Sequence, residues 1–271
     1  MPELPEVETT RRGIAPHVEG RQVSRVIVRQ EKLRWPVSPE ITTQLPGLSI
    51  KQVKRRAKYL LLETDQGTLI IHLGMSGSLR IIAASVKPEK HEHVDIIFDN
   101  GQCLRYKDPR RFGSLLWSST AIENHKLIQH LGPEPLSDLF HIDDLYTKTK
   151  QKKTPIKSLI MDGQIVVGVG NIYASEALFQ SGIHPKRAAQ NISKKRLIKL
   201  VSAIKNILNQ AIQQGGTTLK DFVNSEGNPG YFQQTLNVYG QKGKPCPICQ
   251  TPIKQITIAQ RSTFYCPQCQ R

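Results

Sequence analysis

At 271 residues and 38% hydrophobic content, the chain is long enough to bury a core and to divide into two domains. Its 38 Lys+Arg against 22 Asp+Glu leave a net charge of +16, and because the bases are spread along the chain, nucleic acid is favoured as a partner over a membrane surface. No run approaches the roughly 18 apolar residues of a spanning helix, and the acidic start is unlike a signal peptide, so the expected location is the reducing cytosol and no membrane is involved.

The opening MPELPEVETT reads as a helix start, with Pro5 at its first position, glutamates at its positive end and Gly13 as its stop. That account leaves Pro2 unexplained. A small second residue allows removal of Met1, which gives a chain beginning with a secondary amine and Glu3 beside it. An α-amine is far less protonated at neutral pH than a lysine; it can attack a sugar C1′ and form an iminium, while Glu3 shuttles protons. A helix N-terminus favours Glu3 as an anion, so a proton-donating role calls for burial.

From about Gln22 to Trp117 the segments QVSRVIVR, LSIKQVKR, KYLLLET, TLIIHL, HVDIIF, QCLRY and GSLLW read as strands. Asn100-Gly101 between two of them is a two-residue hairpin signal. Such tight connections predict antiparallel sheets, a sandwich or barrel with the first helix packed on it. Cys103, in QCLRY, is a small buried hydrophobe. Within the region HLGMSGSLR puts Met75 in a Gly/Ser-rich turn, and DPRRFG puts Arg110 and Phe112 in another. Met75 suits either core filler or a protruding wedge that enters a base stack, and the Arg110–Phe112 turn either a surface turn with cations or the same kind of wedge.

Beyond Ser118 the character changes. TKTKQKKT reads as a linker, and NIYASEALFQSG as a helix closed by Gly182. GVGNIYASE leads into that helix with Asn171 at its cap. SKKRLIKLVSAIKNILNQAIQQGG has Ser193 as N-cap, an apolar stripe at Leu197, Leu200, Val201, Ile204, Leu208 and Ile212, and Gly215 and Gly216 as its stop.

The sharpest motif is last. Cys246-Pro-Ile-Cys249 and Cys266-Pro-Gln-Cys269, sixteen residues apart, supply four thiolates for one structural Zn2+ closed to further ligands. Between them IKQITIAQR and STFYC form a hairpin whose tip exposes Arg261, either a plainly solvated tip arginine or, in so basic a chain, a phosphate contact.

In this order PELPEVE, RRAKYL around Lys58, HLGMSGSLR, DPRRFG, VVGVGNIYASE, QGGTTLKDF and the four-cysteine hairpin resemble the bacterial formamidopyrimidine-DNA glycosylases, along nearly the whole chain. The resemblance implies an α+β fold: an N-terminal helix on a two-layered antiparallel β-sandwich, then a helical helix-two-turn-helix domain with a C-terminal zinc-finger hairpin. The expected boundaries are 1–130 for the catalytic sandwich, 131–153 for a connecting segment and hinge, 154–235 for the helical domain and 236–271 for the zinc hairpin. It also implies a monomer acting on damaged double-stranded DNA, removing 8-oxoguanine and formamidopyrimidines and then nicking the strand by β- and δ-elimination.

By the match, Pro2 is the Schiff-base nucleophile, Glu3 its acid/base partner, Lys58 an aid to β-elimination through phosphate positioning and Arg261 to δ-elimination. Met75, Arg110 and Phe112 resemble the trio that fills the gap left by a flipped nucleotide, with Arg110 facing the orphaned base. His91, Lys152, Lys157 and Asn171 fall where the family contacts DNA, and QGGTTLKDFVNSEGNPGYF where a loop caps the lesion. Two rival readings stand beside this one: an endonuclease VIII-like enzyme for oxidised pyrimidines, and a zinc-finger DNA-binding protein without catalysis.

Overall fold

The computed structural model describes residues 2–215 and 236–271; of the expected lesion-capping loop, residues 216 onward lie outside these, as does the end of the helical domain at 235. Described residues up to Gln129, with Gly215, form one compact unit, and the others from His130 onward a second.

In the first unit, α1 (Leu4–Val18) begins at the N-cap Glu3, whose backbone N–H donates to the Glu6 carboxylate at 2.8 Å in a capping box. Leu4 is the first helical residue and Pro5 the second, where a missing N–H still costs nothing. Gly13 does not stop the helix: Ile14 and Val18 are fully buried, and their burial carries it past both Gly13 and Pro16. Glu8 is not a capping acid either, since its carboxylate pairs with Arg11, Arg12 and Arg55.

Then come β1 (Val23–Val28), α2 (Glu40–Thr43), β2 (Gln52–Arg56), β3 (Tyr59–Glu63), β4 (Thr68–His72), β5 (Ser78–Ala83), β6 (Glu92–Phe98), β7 (Gln102–Lys107) and β8 (Ser114–Ser118). They form two antiparallel four-stranded sheets, ordered β1-β6-β7-β5 and β2-β3-β4-β8. Alternate residues of both sheets, Val94, Ile96 and Phe98 from one and Leu60, Leu62, Leu69 and Ile71 from the other, share a core with Val7, Ile14 and Val18 of α1. The helix lies against β2, β3 and β5. Strand β5 is absent from the sequence reading, where SLR was absorbed into the Met75 turn. The Asn100-Gly101 hairpin is present, but only Gly101 takes positive φ (77°). Its loop is therefore Asp99-Asn100-Gly101, closed by the Gly101 N–H donating to Phe98 O at 3.1 Å, rather than a two-residue primed turn.

The second unit contains α3 (Ile142–Thr149), α4 (Ile156–Ile160), α5 (Asn171–Gln180), α6 (Lys194–Gln213), β9 (Lys254–Ile258) and β10 (Arg261–Tyr265). The supposed linker TKTKQKKT starts inside α3, because Leu145 and Thr149 are buried and the helix packs on α6. Helix α5 ends in a Schellman motif: Ile183 N–H donates to Leu178 O (2.9 Å), Gly182 N–H to Phe179 O (3.0 Å), and Gly182 takes φ 68°. In α6 the six stripe residues are all buried; Ser193 stands at the N-cap, but its hydroxyl makes no capping bond. No helix among the described residues is long and apolar enough to cross a membrane.

Candidate active site and metal centre

The predicted residues divide between the units. Pro2, Glu3, Lys58, Met75, His91, Arg110 and Phe112 lie in the first; Lys152, Lys157, Asn171, Arg261 and the four zinc-type cysteines lie in the second.

In the first unit Pro2 is buried and Glu3 only 1% exposed, so the burial that a proton-donating Glu3 calls for is met. Lys58 stands at the two-residue tip of the β2–β3 hairpin, where Ala57 takes φ 54°, a conformation that an alanine adopts only under tertiary constraint. Arg55 supplies a constraint. Its Nη1 donates to Ala57 O at 2.9 Å and its Nε to Glu8 Oε2 at 3.2 Å, so the tip carrying Lys58 is tied to the helix carrying Glu3. Burial works to raise the Glu8 pKa, but hydrogen bonds from Arg11 and Arg12, with the charge of Arg55, outweigh it and hold the carboxyl below its usual range.

His72 pairs with Tyr59 across β3 and β4, ring centroids 5.0 Å apart. Burial, reinforced by the charges of Lys58 and Arg34, pushes its pKa down to about 4. The ring is therefore neutral near pH 7, and its Nδ1 accepts the Gly74 N–H at 3.0 Å.

The Met75 turn and the Arg110–Phe112 turn touch backbone to backbone. At Gly74 (φ 66°) an added Cβ would meet Phe112 C and Gly113 N at 2.4 Å, so no larger residue allows the approach. Phe112 is 44% exposed, and the Arg110 guanidinium carbon lies 4.9 Å from its ring centroid. Met75 is partly buried. His91, at φ 71°, sets its ring edge-on to His93 at 6.3 Å.

In the second unit Lys157 is 1% exposed. Its Nζ donates to Asn171 Oδ1 (2.6 Å) and to Thr263 Oγ1 (2.7 Å) of β10. Asn171 is the first residue of α5 rather than its cap, which is Gly170; its Nδ2 donates to Ser262 O at 3.0 Å. Lys157 and Asn171 thus fasten the C-terminal hairpin to α5. Arg261 opens β10, exposed beside a tip formed by Ala259 and Gln260. Lys152 is exposed just after α3.

The four cysteine Sγ atoms lie within 4.8 Å of one another, with Cys246–Cys269 at 3.9 Å and Cys249–Cys266 at 3.4 Å. A tetrahedral site with Zn–S bonds of about 2.3 Å has sulfur–sulfur edges of about 3.8 Å, so the set fits. Backbone N–H groups of Ile248 and Cys269 point at Cys246 and Cys266 sulfurs at 3.5 and 3.4 Å, as thiolates require.

Three family models match in series: the formamidopyrimidine-DNA glycosylase N-terminal domain over residues 1–115, the formamidopyrimidine-DNA glycosylase H2TH domain over 131–223, and a zinc finger found in FPG and IleRS over 243–271. Formamidopyrimidine-DNA glycosylase of Pseudomonas syringae pv. tomato is 57% identical over 271 residues, covering 100% of both chains. The chain belongs to the formamidopyrimidine-DNA glycosylase family. Among solved structures, the MutM (Fpg) protein of Thermus thermophilus superposes with a TM-score of 0.87 at 35% identity, covering 99% of this chain and 98% of that one. The Lactococcus lactis Fpg in complex with abasic-site DNA gives 0.92 at 32%, covering 99% of each.

For this glycosylase family member, Cys246, Cys249, Cys266 and Cys269 bind one structural zinc, which cross-links a small core of Val238, Ile253 and Phe264 against Phe179 of α5. Sequence reasoning missed how that module is anchored. Glu176, 3% exposed, accepts the backbone N–H groups of Asn237, Val238 and Tyr239 at 2.8–2.9 Å, holding the turn that enters the zinc module. An acid at the centre of so apolar a helix was the available signal.

Proposed function

We propose that this chain is a base-excision repair enzyme, a DNA glycosylase and abasic-site lyase for oxidised purines in duplex DNA, working through the amine of Pro2 after loss of Met1. The observation that carries this reading is local to the first unit: buried Glu3 follows Pro2 at the start of a helix that Arg55 and Glu8 tie to the hairpin presenting Lys58.

In this reading the Pro2 nitrogen bonds to C1′ as the C1′–N bond to the damaged base breaks and the base leaves with a proton. The sugar ring opens as O4′ gains a proton, which Glu3 is placed to carry, and an iminium joins Pro2 to C1′. Loss of a C2′ proton then expels the 3′ phosphate, and a second elimination the 5′ phosphate. Lys58 holds a phosphate during the first step, and Arg261 serves the second. Met75, Arg110 and Phe112 occupy the space vacated by the flipped nucleotide, offsetting a few kcal/mol of unstacking. His91, Lys152 and Asn171 grip the backbone, with Lys157, itself buried, holding the Asn171 amide for that contact, and the zinc module stiffens the hairpin that presents Arg261. We assign catalysis to 1–130, a join to 131–153, and duplex binding to 154–235 and 236–271, and place the enzyme, a monomer, in the cytoplasm on nucleoid DNA.

The test has two arms. The intact mass of the mature protein should lack Met1, and borohydride should trap it covalently on abasic-site DNA; a wild type that is not trapped refutes the amine mechanism. Duplexes holding 8-oxoguanine should be cleaved faster than those holding thymine glycol, and fast release of thymine glycol alone would place the enzyme with the pyrimidine glycosylases.

A further inference from the structure

Asp108 follows β7 with 0% of its surface exposed, and among the described residues no Lys or Arg side chain forms an ion pair with it. A carboxylate so placed survives only if hydrogen bonds replace its water. Four donors do. Ser76 Oγ donates to Oδ1 (2.9 Å), Tyr106 Oη and the Gly113 N–H to Oδ2 (3.0 and 2.8 Å), and the Arg110 N–H approaches Oδ1 at 3.3 Å. The backbone of Asp108 is used as well: its N–H donates to His91 O at 3.0 Å, and its carbonyl accepts the His93 Nε2–H at 2.8 Å.

These groups come from three separate pieces of chain. Ser76 neighbours Met75, Arg110 and Gly113 bracket Phe112, and His91 precedes β6. A core that needed only filling would be served better by an apolar side chain, because burying a charge costs more than it returns unless it fixes something. What Asp108 fixes is the relation of Met75, Arg110, Phe112 and His91. We propose that Asp108 is a positioning residue that locks the two void-filling turns and the His91 segment into one rigid insert before DNA arrives. This rests on the repair reading above and goes beyond it. Ordering the insert during folding removes that entropy cost from the DNA-binding step.

Asp108→Asn keeps the size but replaces one acceptor oxygen with an NH2 that must face donors. The quantity to read is the ratio of 8-oxoguanine excision from paired duplex, which needs the insert, to lyase activity on a single-stranded abasic site, which has no partner strand to wedge. The ratio should fall about 10-fold or more. The emission rise of 2-aminopurine placed opposite the lesion, which reports unstacking by the insert, should be lost with it. Ser76→Ala, which severs only the Met75 turn from the carboxylate, should lower the ratio in the same direction by less, and it decides the matter if the Asn variant does not fold. An unchanged ratio with normal emission, or a parallel fall of both activities, overturns the proposal. A wild type lacking both activities removes the repair reading instead.

Discussion

Replacing Arg105 by Met should destabilise the first unit by leaving carboxylates buried without their cation. Arg105 is the largest fully buried side chain of the unit, with 1% of its side chain exposed. Its guanidinium grips Asp95 at both ends (Nε–Oδ1 2.7 Å, Nη2–Oδ2 2.8 Å), reaches Glu92 at 3.1 Å and donates to Val86 O at 2.9 Å. Removing one member of such a network typically costs about 3–5 kcal/mol. Here Arg29 still pairs with Asp95, and the Glu89 N–H still reaches Glu92, so the lower end applies, about 3 kcal/mol. For a unit ending at Gln129, an unfolding entropy of about 2.1 cal/mol/K per residue gives about 0.27 kcal/mol/K, hence a Tm lower by about 11 °C.

The pH dependence separates lost charge pairing from lost packing. In the wild type, burial alone would raise the Asp95 pKa, but hydrogen bonds from Arg29 and Arg105 hold it below the usual carboxylate value. Its contribution is thus present above that usual value and is lost as pH falls through the lowered one. In the variant Asp95 faces the same burial with Arg29 as its remaining guanidinium, so its pKa moves up and acid relieves part of the penalty. Scanning calorimetry from pH 7.5 down to 5 should show the Tm gap narrowing steadily. A gap below about 4 °C at pH 7.5, or one constant with pH, refutes the reasoning.

Two further outcomes follow from the same structure. Cys266→Ser, or chelation, should release one zinc per chain and open the core of Val238, Ile253 and Phe264 to protease and exchange while the melting of the first unit is unchanged; metal-free protein with a protected hairpin contradicts the zinc cross-link. His72, held near 4 against the usual 6.5, binds a proton more readily unfolded than folded between those values. Stability from this group is therefore full above pH 6.5 and declines toward pH 4, by up to about 3 kcal/mol. His72→Gln should flatten that slope in urea titrations, and an equally steep slope counts against burial as the cause.

What was legible in the chain follows range. Elements set by local chemistry appear in the sequence: the Schellman glycine at 182, the α6 stripe, the paired CxxC knuckles. The failures share a different cause. Gly13 reads as a stop because its local cost is visible, whereas the burial of Ile14 and Val18 that outweighs it is tertiary. Strand β5 is hidden because the close approach of Gly74 to Phe112 imposes a turn whose extent spacing cannot show. Asn171 was expected to cap α5, the commonest local use of that residue; it instead accepts from a lysine fourteen residues earlier and donates to a hairpin ninety-one residues later.

The buried charges carry the same lesson further. Sequence assigns Glu8 to a helix start, Asp108 to a turn and Glu176 to a helix interior, yet each collects donors from segments distant in the chain. Each also lies where a predicted functional side chain needs a fixed mount: Glu8 beneath the Lys58 hairpin, Asp108 between the Met75 and Phe112 turns, Glu176 at the entry to the zinc module. A basic protein built to hold a polyanion cannot use its cations twice without weakening its grip. Of the three, only Glu8 draws on arginine side chains. Asp108 and Glu176 draw chiefly on backbone N–H and hydroxyl donors, which fix these two mounts without drawing on a lysine or arginine side chain that could otherwise hold phosphate.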